Sequence, residues 1–462
     1  MGISSLGVGS SVLTQDVLDQ LRAADEAQYI TPVDRKISAE KSKTGALNVI
    51  DALMDNVYGS LKGLTEYGVF ESRTTSSSDE SVATVVAADS SDIQNFSLEV
   101  DHLATKEIEQ SGAFLTEDAA IADGPGKLKL TVGTKDYIIS YDASTKLTDL
   151  KKLINEAAGE SVDATIVQVA SDNFRLMLSA DATGTGQAIS ITDVAGAGEH
   201  LDTALTTGMS NVQTAVDAGF KFNGLDIIRQ SNTVDDLLSG VTITLLDAGT
   251  TNVTVKQDRE NIESKITNFI DKYNSAVFQL DKDTKSSQKV EERGVFSGDS
   301  TIKSMKRSIE NILNTIGGGV GRMQDYGIEI DDDGRLSLDS SVLNAKLDED
   351  PDNVQAFLAG GVFNKPTGGS VEVDGIFGEL ESEFAKYSKY GAILDDYRNT
   401  MEDKIDTLTK QRTEAIERLD ARYETLKKQW GAYDLMISKI NSASQMFVEM
   451  ANTMTNAQNN LK

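Results

Sequence analysis

EAIERLDARYETLKKQWGAYDLMISKI, residues 414–440, sets Ile416, Leu419, Tyr423, Leu426, Trp430, Tyr433, Ile437 and Ile440 at alternating steps of three and four. An apolar row with that spacing lies along one side of an α-helix and needs a second helix to cover it. The row continues more thinly through Phe447, Ala451, Met454 and Leu461, where Asn, Gln and Thr suggest a tail that orders only against a partner. Asp406 with Lys410, Glu414 with Arg418 and Glu424 with Lys428 stand four apart with the acid first, the favourable order on a helix surface. The spacing therefore predicts a coiled coil or bundle. The plainer alternative is a helical hairpin inside one globular domain.

The other end of the chain supplies a matching pattern. Val12, Leu13, Val17, Leu18 and Leu21 follow helical spacing, and Thr31-Pro32-Val33-Asp34 is a start signal for a second helix. Along that helix Leu47, Ile50, Met54, Val57, Leu61 and Leu64 form a narrow seam. Between the ends the period changes to two. Phe96, Leu98 and Val100 alternate, as do Leu128, Leu130 and Val132, then Tyr137, Ile139 and Tyr141 beyond a turn at Gly133. Phe174, Leu176 and Leu178, then Val241, Ile243 and Leu245, then Val253 and Val255 repeat it, with one helix expected at about 148–158. Residues 261–396 return to helix around a hairpin turning at Asp332-Asp333-Gly334. The fold class expected is α+β and multidomain, with a helical leg built from both termini and β-rich head lobes inserted between them.

Composition narrows the chemistry. In 462 residues, 44 Lys and Arg stand against 73 Asp and Glu, a net charge of −29 that disfavours nucleic acid and anionic membranes as partners. Residues 73–260 hold 13 basic and 29 acidic residues, over half of the acid excess. Without cysteine there is no disulfide, thiolate nucleophile or thiolate zinc site, and the two histidines, His102 and His200, are far apart in sequence. Asp331 to Gly334 resembles the start of a calcium loop, but the place of its bidentate Glu falls on Ser340. The glycines at 317–321 are not followed by the Lys-Ser/Thr of a phosphate loop. Paired carboxylates remain as a hydrolase reading, but aromatics are 6% of the chain, and the single Trp430 sits in the helical seam rather than on a sugar platform. No cofactor, metal or catalytic residue is expected. No apolar run approaches a membrane span, and the opening Met1–Val12 has no secretory pattern, so the default location is cytoplasmic.

The segments Ala218 to Gly224, Ile228 to Asp236 and Gly240 to Leu245 resemble a motif of the flagellar filament-cap (hook-associated protein 2) family. The likeness extends to Gly298-Asp299, Gly327 to Ile330, Gly334 to Asp339, Asp350 to Val354, Tyr423, Gln429 to Asp434, Met436-Ile437 and Asn441. At the start it includes Leu21, Ala23-Ala24, Glu26, Pro32 and the helix from Asp34. Residues from about Gly112 to Thr214 show only their β pattern. Many members of the family carry Gly-Leu-Asp where this chain has Gly9-Ser10-Ser11-Val12-Leu13.

The resemblance replaces the cytoplasmic default with export through the flagellar type III apparatus, without a cleaved signal peptide, to an extracellular site at the filament tip. It implies a homo-oligomeric ring, often a pentamer, that retains flagellin and promotes its insertion. Its other partners would be hook–filament junction proteins and an export chaperone. Oligomer and filament contacts are expected at Leu13, Val17, Leu21, Leu426, Trp430, Tyr433, Ile437, Ile440 and Phe447. The division that goes with it is 1–40, a filament-contacting helical segment; 41–72, the first part of the leg; 73–111 with 214–260, a head lobe; 112–213, a variable distal lobe; 261–396, a helical leg domain with a hairpin; and 397–462, a coiled-coil helix and tail. The competing reading is a surface adhesin whose acidic head binds host glycan or mucin, which is also a conceivable secondary role for a cap.

Overall fold

A computed structural model describes residues 6–7, 9–10, 12, 14–66, 68–314, 320–389 and 391–459. The helices described are α1 (Gln15–Tyr29), α2 (Thr31–Thr65), α3 (Leu147–Ala158), α4 (Arg259–Thr284), α5 (Ser300–Asn314), α6 (Ser340–Glu349), α7 (Pro351–Ala359), α8 (Ile376–Ser388) and α9 (Ile393–Asn459). The chain is α+β, and its internal contacts divide it into two units: Met1–Glu66 with Glu263–Lys462, and Tyr67–Ile262.

The first unit is helical and discontinuous in sequence. Leu47, Ile50, Met54, Val57, Leu61 and Leu64 of α2 are wholly buried, and α8 and α9 pack along the same helix. Thr14 accepts a hydrogen bond from Val17 N at the start of α1, and Pro32 opens α2 where a missing N–H costs nothing. The centre of the unit is aromatic. Phe269 of α4 meets Phe377 of α8 edge-on at 5.3 Å and Tyr273 at 5.9 Å. Asn274 fixes the hairpin Ile328–Ile330/Leu336–Leu338 by donating to Leu336 O and accepting from Leu336 N, each at 2.8 Å. The Asp331 carboxylate accepts from Asp333 N and Arg335 N, so it is committed to the turn. The second hairpin, Gly361–Asn364 with Ser370–Val373, and helix α8 were not resolved individually by the sequence pattern. Helix α9 also stays continuous to Asn459 where a partner-dependent tail was expected. Beyond Gly431 it holds neither glycine nor proline, so nothing local breaks it.

The second unit contains two apolar cores. One gathers Phe96, Leu98, Val100, Phe220, Ile243, Val253 and their neighbours. Its five-stranded sheet runs in the order Arg73–Ser77, Gly249–Gln257, Gln94–His102, Ala218–Phe222, Leu225–Arg229. A three-stranded sheet of Thr233–Leu238, Val241–Leu245 and Ala83–Ala87 supplies Val234, Ile243 and Val85 to the same core. The tight turn between Phe222 and Leu225 needs positive φ at both residues, and Asn223 (49°) and Gly224 (84°) provide it. Asn223 is held there because its Oδ1 accepts from Ser97 N at 2.8 Å.

The other core gathers Leu128, Leu130, Ile139, Leu147, Leu150, Ile154, Leu176 and Leu178, with α3 between a four-stranded and a three-stranded sheet. Alternation along the strands is as the sequence reads: Leu98 and Leu176 are sealed while Glu99 faces water. His102 lies at a strand end, and His200 Nδ1 sits 2.8 Å from Asp123 on the surface.

Separate cores predict separable losses. Phe269→Ala should cost the helical unit about 3–5 kcal/mol, and Leu176→Ala the β unit about 2–5 kcal/mol. Scanning calorimetry should therefore show each variant lowering a different transition. A common shift in both variants would mean that the units melt as one.

Candidate interface of the terminal helices

Helices α1 and α2 run antiparallel to α9, and charged rungs record the register. Arg22 reaches Asp420 at 2.5 Å; Asp25 accepts from Tyr423 Oη at 2.7 Å and faces Arg422 at 3.1 Å. Asp34 pairs with Arg412 at 2.5 Å, Glu40 with Lys404 at 2.6 Å, and Asp51 with Arg398. From Asp25 through Asp34 and Glu40 to Asp51 the partner numbers fall from 422 to 398, so one antiparallel register serves this length. The Arg22–Asp420 and Asp34–Arg412 rungs are half-exposed and contribute about 0–1 kcal/mol each, so they specify alignment more than they stabilise it. Glu40 is the most buried of these carboxylates, its side chain only 9% exposed. Burial pushes its pKa up, but the ammonium groups of Lys404 and Lys43 outweigh that, and the net shift is downward.

Beneath the rungs, Leu18, Ile30, Leu419 and Tyr423 make a small core, with Leu6, Ala415, Ile416, Leu426 and Trp430 packed against it. Where α1 gives way to α2, a groove of ≈ 430 Å³ opens among Tyr29, Val33, Gln411, Ala415, Arg418, Leu419 and Arg422.

Ahead of α1, Gly9 and Ser10 lie against α9 as a short strap. Asp434, 6% exposed, accepts from Gly9 N at 3.0 Å and from Ser10 N at 2.7 Å, and Asn441 Nδ2 donates to Gly9 O at 3.1 Å. A Cβ on residue 9 would stand 2.1 Å from Asp434 O, so the strap lies closer to the helix than any side chain permits. The apolar spacing passes over Asp434 and Asn441, which enter the sequence reading only as residues of the family resemblance.

The expected interface residues divide into groups. Leu426 and Trp430 pack within the chain, Val17 and Ile437 are half-buried, and Leu21 is exposed. Tyr433, Ile440 and Phe447 are 58–69% exposed on α9 and have no apolar cover among the described residues. Leu13 lies outside the described residues.

Comparison with known proteins finds two family models: Flagellar hook-associated protein 2 N-terminus, matching residues 10–107, and Flagellar hook-associated protein 2 C-terminus, matching residues 215–442. Among curated relatives, flagellar hook-associated protein 2 of Campylobacter jejuni is 29% identical over 411 residues, covering 77% of this chain and 64% of the relative. That of Helicobacter pylori is 28% identical over 351 residues, covering 71% and 51%, so this chain spans only half to two thirds of these two proteins. That of Salmonella typhimurium is 27% identical over 474 residues and covers 98% and 99%. Among solved structures, the D1-D2-D3 domains of the flagellar cap protein of Escherichia coli align with a TM-score of 0.61 at 23% identity, covering 77% of this chain and 99% of that one, a likeness of fold.

The lowered pKa of Glu40 has a testable sign. Its contribution is fully present above the ordinary carboxylate range near pH 4 and is lost as the pH falls through the lower folded value. Glu40→Gln should lower the stability of the helical unit at pH 7 by on the order of 1 kcal/mol. The gap from the native chain should close on acidification in a denaturation series. A gap that stayed constant down to pH 3 would remove Glu40 from the account.

Proposed function

The chain belongs to the flagellar hook-associated protein 2 family, and we propose that it acts structurally, as a cap at the distal end of a bacterial flagellar filament. The observation that carries this reading is the contrast along α9. Leu419, Tyr423, Leu426 and Trp430 pack against the N-terminal segment of their own chain, whereas Tyr433, Ile440 and Phe447 present an exposed apolar face. Exposed large side chains on one helical face are what a docking element offers.

In this reading the terminal helices meet the filament end, and the copies form a pentameric ring. Flagellin arriving at the tip is retained and inserted beneath the ring. Advance of the cap requires contacts that release and reform, and an exposed single-helix face with few charges suits that better than a large fixed interface. Export by the flagellar type III apparatus, with contacts to an export chaperone and to hook–filament junction proteins, completes the proposal. No helix among the described residues is long and apolar enough to cross a membrane. No feature of the head favours the adhesin reading.

The test is deletion of the gene in its own bacterium, with polymerised filament measured against free flagellin in the medium. Filaments should vanish while free flagellin rises. Complementation with Ile440→Asp/Phe447→Asp should fail to restore filaments, although exposed substitutions of this kind change stability by only about 0.5 kcal/mol. Normal filaments in the deletion strain would sink the cap reading. Normal filaments with the double variant alone would move the contact away from α9.

A further inference from the structure

The thioethers of the chain are sorted by depth. Of its eleven methionines, Met54, Met305, Met323 and Met401 lie in the helical unit and are at most 3% exposed. Met436, Met446, Met450 and Met454 of α9 are 54–65% exposed, and no other methionine among the described residues is exposed. From Tyr433 onward they are four of the nine large apolar side chains that α9 leaves in water. Between Ile440 and Asn459 the only charged residue is Glu449, so the apolar character of this stretch rests heavily on sulfur. Met436, Met450 and Met454 keep helical steps of three, four or seven with Tyr433, Ile440 and Phe447, and Met446 borders them.

We propose that Met436, Met446, Met450 and Met454 form a modification site for two-electron oxidants of the peroxide class, and that their oxidation turns this face from apolar to polar. The thioether sulfur attacks one peroxide oxygen, so that an S–O bond forms and the O–O bond breaks. The departing hydroxide takes the proton of the transferred oxygen and leaves as water. Sulfur loses two electrons, the peroxide gains them, and a sulfoxide remains. Two features direct the oxidant here. The chain has no cysteine, so no thiolate of its own competes for the peroxide. Susceptibility also follows exposure, and the other described methionines are buried or half-buried.

A sulfoxide oxygen holds water that a docked apolar surface would have to strip away without replacing its hydrogen bonds. Four such groups change a face that packs dry into one that stays hydrated. For filament attachment the consequence rests on the capping reading. A subunit that meets peroxide before it docks loses its hold, whereas one already docked has its sulfurs covered, so the site senses oxidant during assembly and not afterwards. Reversal needs the methionine sulfoxide reductases, one enzyme for each sulfoxide epimer.

The test treats the purified chain with hydrogen peroxide in its native state and follows oxygen uptake at each methionine by peptide mass spectrometry. The four α9 sites should react about tenfold faster than Met54, Met305, Met323 and Met401, and denaturant should abolish the difference. Equal rates in the native chain would overturn the site. Retention of the oxidised chain on a phenyl matrix should fall, and should return after treatment with both reductases. Unchanged retention with all four sulfurs oxidised would overturn the change of face. A Met436→Leu/Met446→Leu/Met450→Leu/Met454→Leu variant should keep its retention through the same treatment, and a loss equal to that of the native chain would assign the effect to other residues. In the deletion strain carrying either chain, filament length under peroxide is compared with that of the same strain without it. Native filaments should shorten and the variant's should not, and equal shortening would overturn the link to assembly. Normal filaments in the strain carrying neither chain would end the cap reading alone, because oxidation rates and retention are read on the purified chain.

Discussion

Leu47, Ile50, Met54, Val57, Leu61 and Leu64 are sealed from water by helices that come from the far end of the chain, and the architecture depends on that closure. Six buried aliphatic side chains contribute on the order of 10 kcal/mol, which makes this the main favourable term holding α2 in place. The charged rungs from Arg22–Asp420 to Asp51–Arg398 add little energy but exclude other alignments. Apolar packing decides that the helices associate, and charge decides how far one is slid along the other. The strap continues the same alignment by other means, with backbone amides of Gly9 and Ser10 bound to a carboxylate on α9.

Closing the helical unit around an inserted one carries a modest entropic cost, because loop-closure entropy grows only with the logarithm of length. The insert brings its own two cores, so each can be optimised without disturbing the α2–α9 packing. The lobe around Leu128, Ile154 and Leu176 showed no family motif in the sequence, only its β period. A self-sufficient core is what allows such a segment to diverge.

The periodic features of the fold were legible in the sequence. The three-and-four row of α2, the two-residue alternation of Phe96-Leu98-Val100 and the start signal at Thr31-Pro32 each state a local rule that the tertiary structure then obeys. Residues whose role depends on a distant partner were not legible. Asp434 reads as an interruption of an apolar helix until Gly9 is beside it, and Glu40 reads as an ordinary surface acid until Lys404 arrives. For the same reason a single apolar row was expected on α9. Leu426 and Trp430 are covered by α1, while Tyr433, Ile440 and Phe447 are not, and spacing alone does not separate them.

The discontinuity of the helical unit also has a meaning in time. Helix α2 ends at Thr65 and α9 begins at Ile393, so a ribosome adding about 5–20 residues per second leaves the sealed row of α2 without that cover for tens of seconds. During that interval the row is a sticky surface on an unfinished chain, beside nascent copies bearing the same surface. Fast folding of the acidic insert would place a mutually repelling body next to it. The negative charge of residues 73–260 then serves the newborn chain as an electrostatic spacer, before any assembly exists for it to serve.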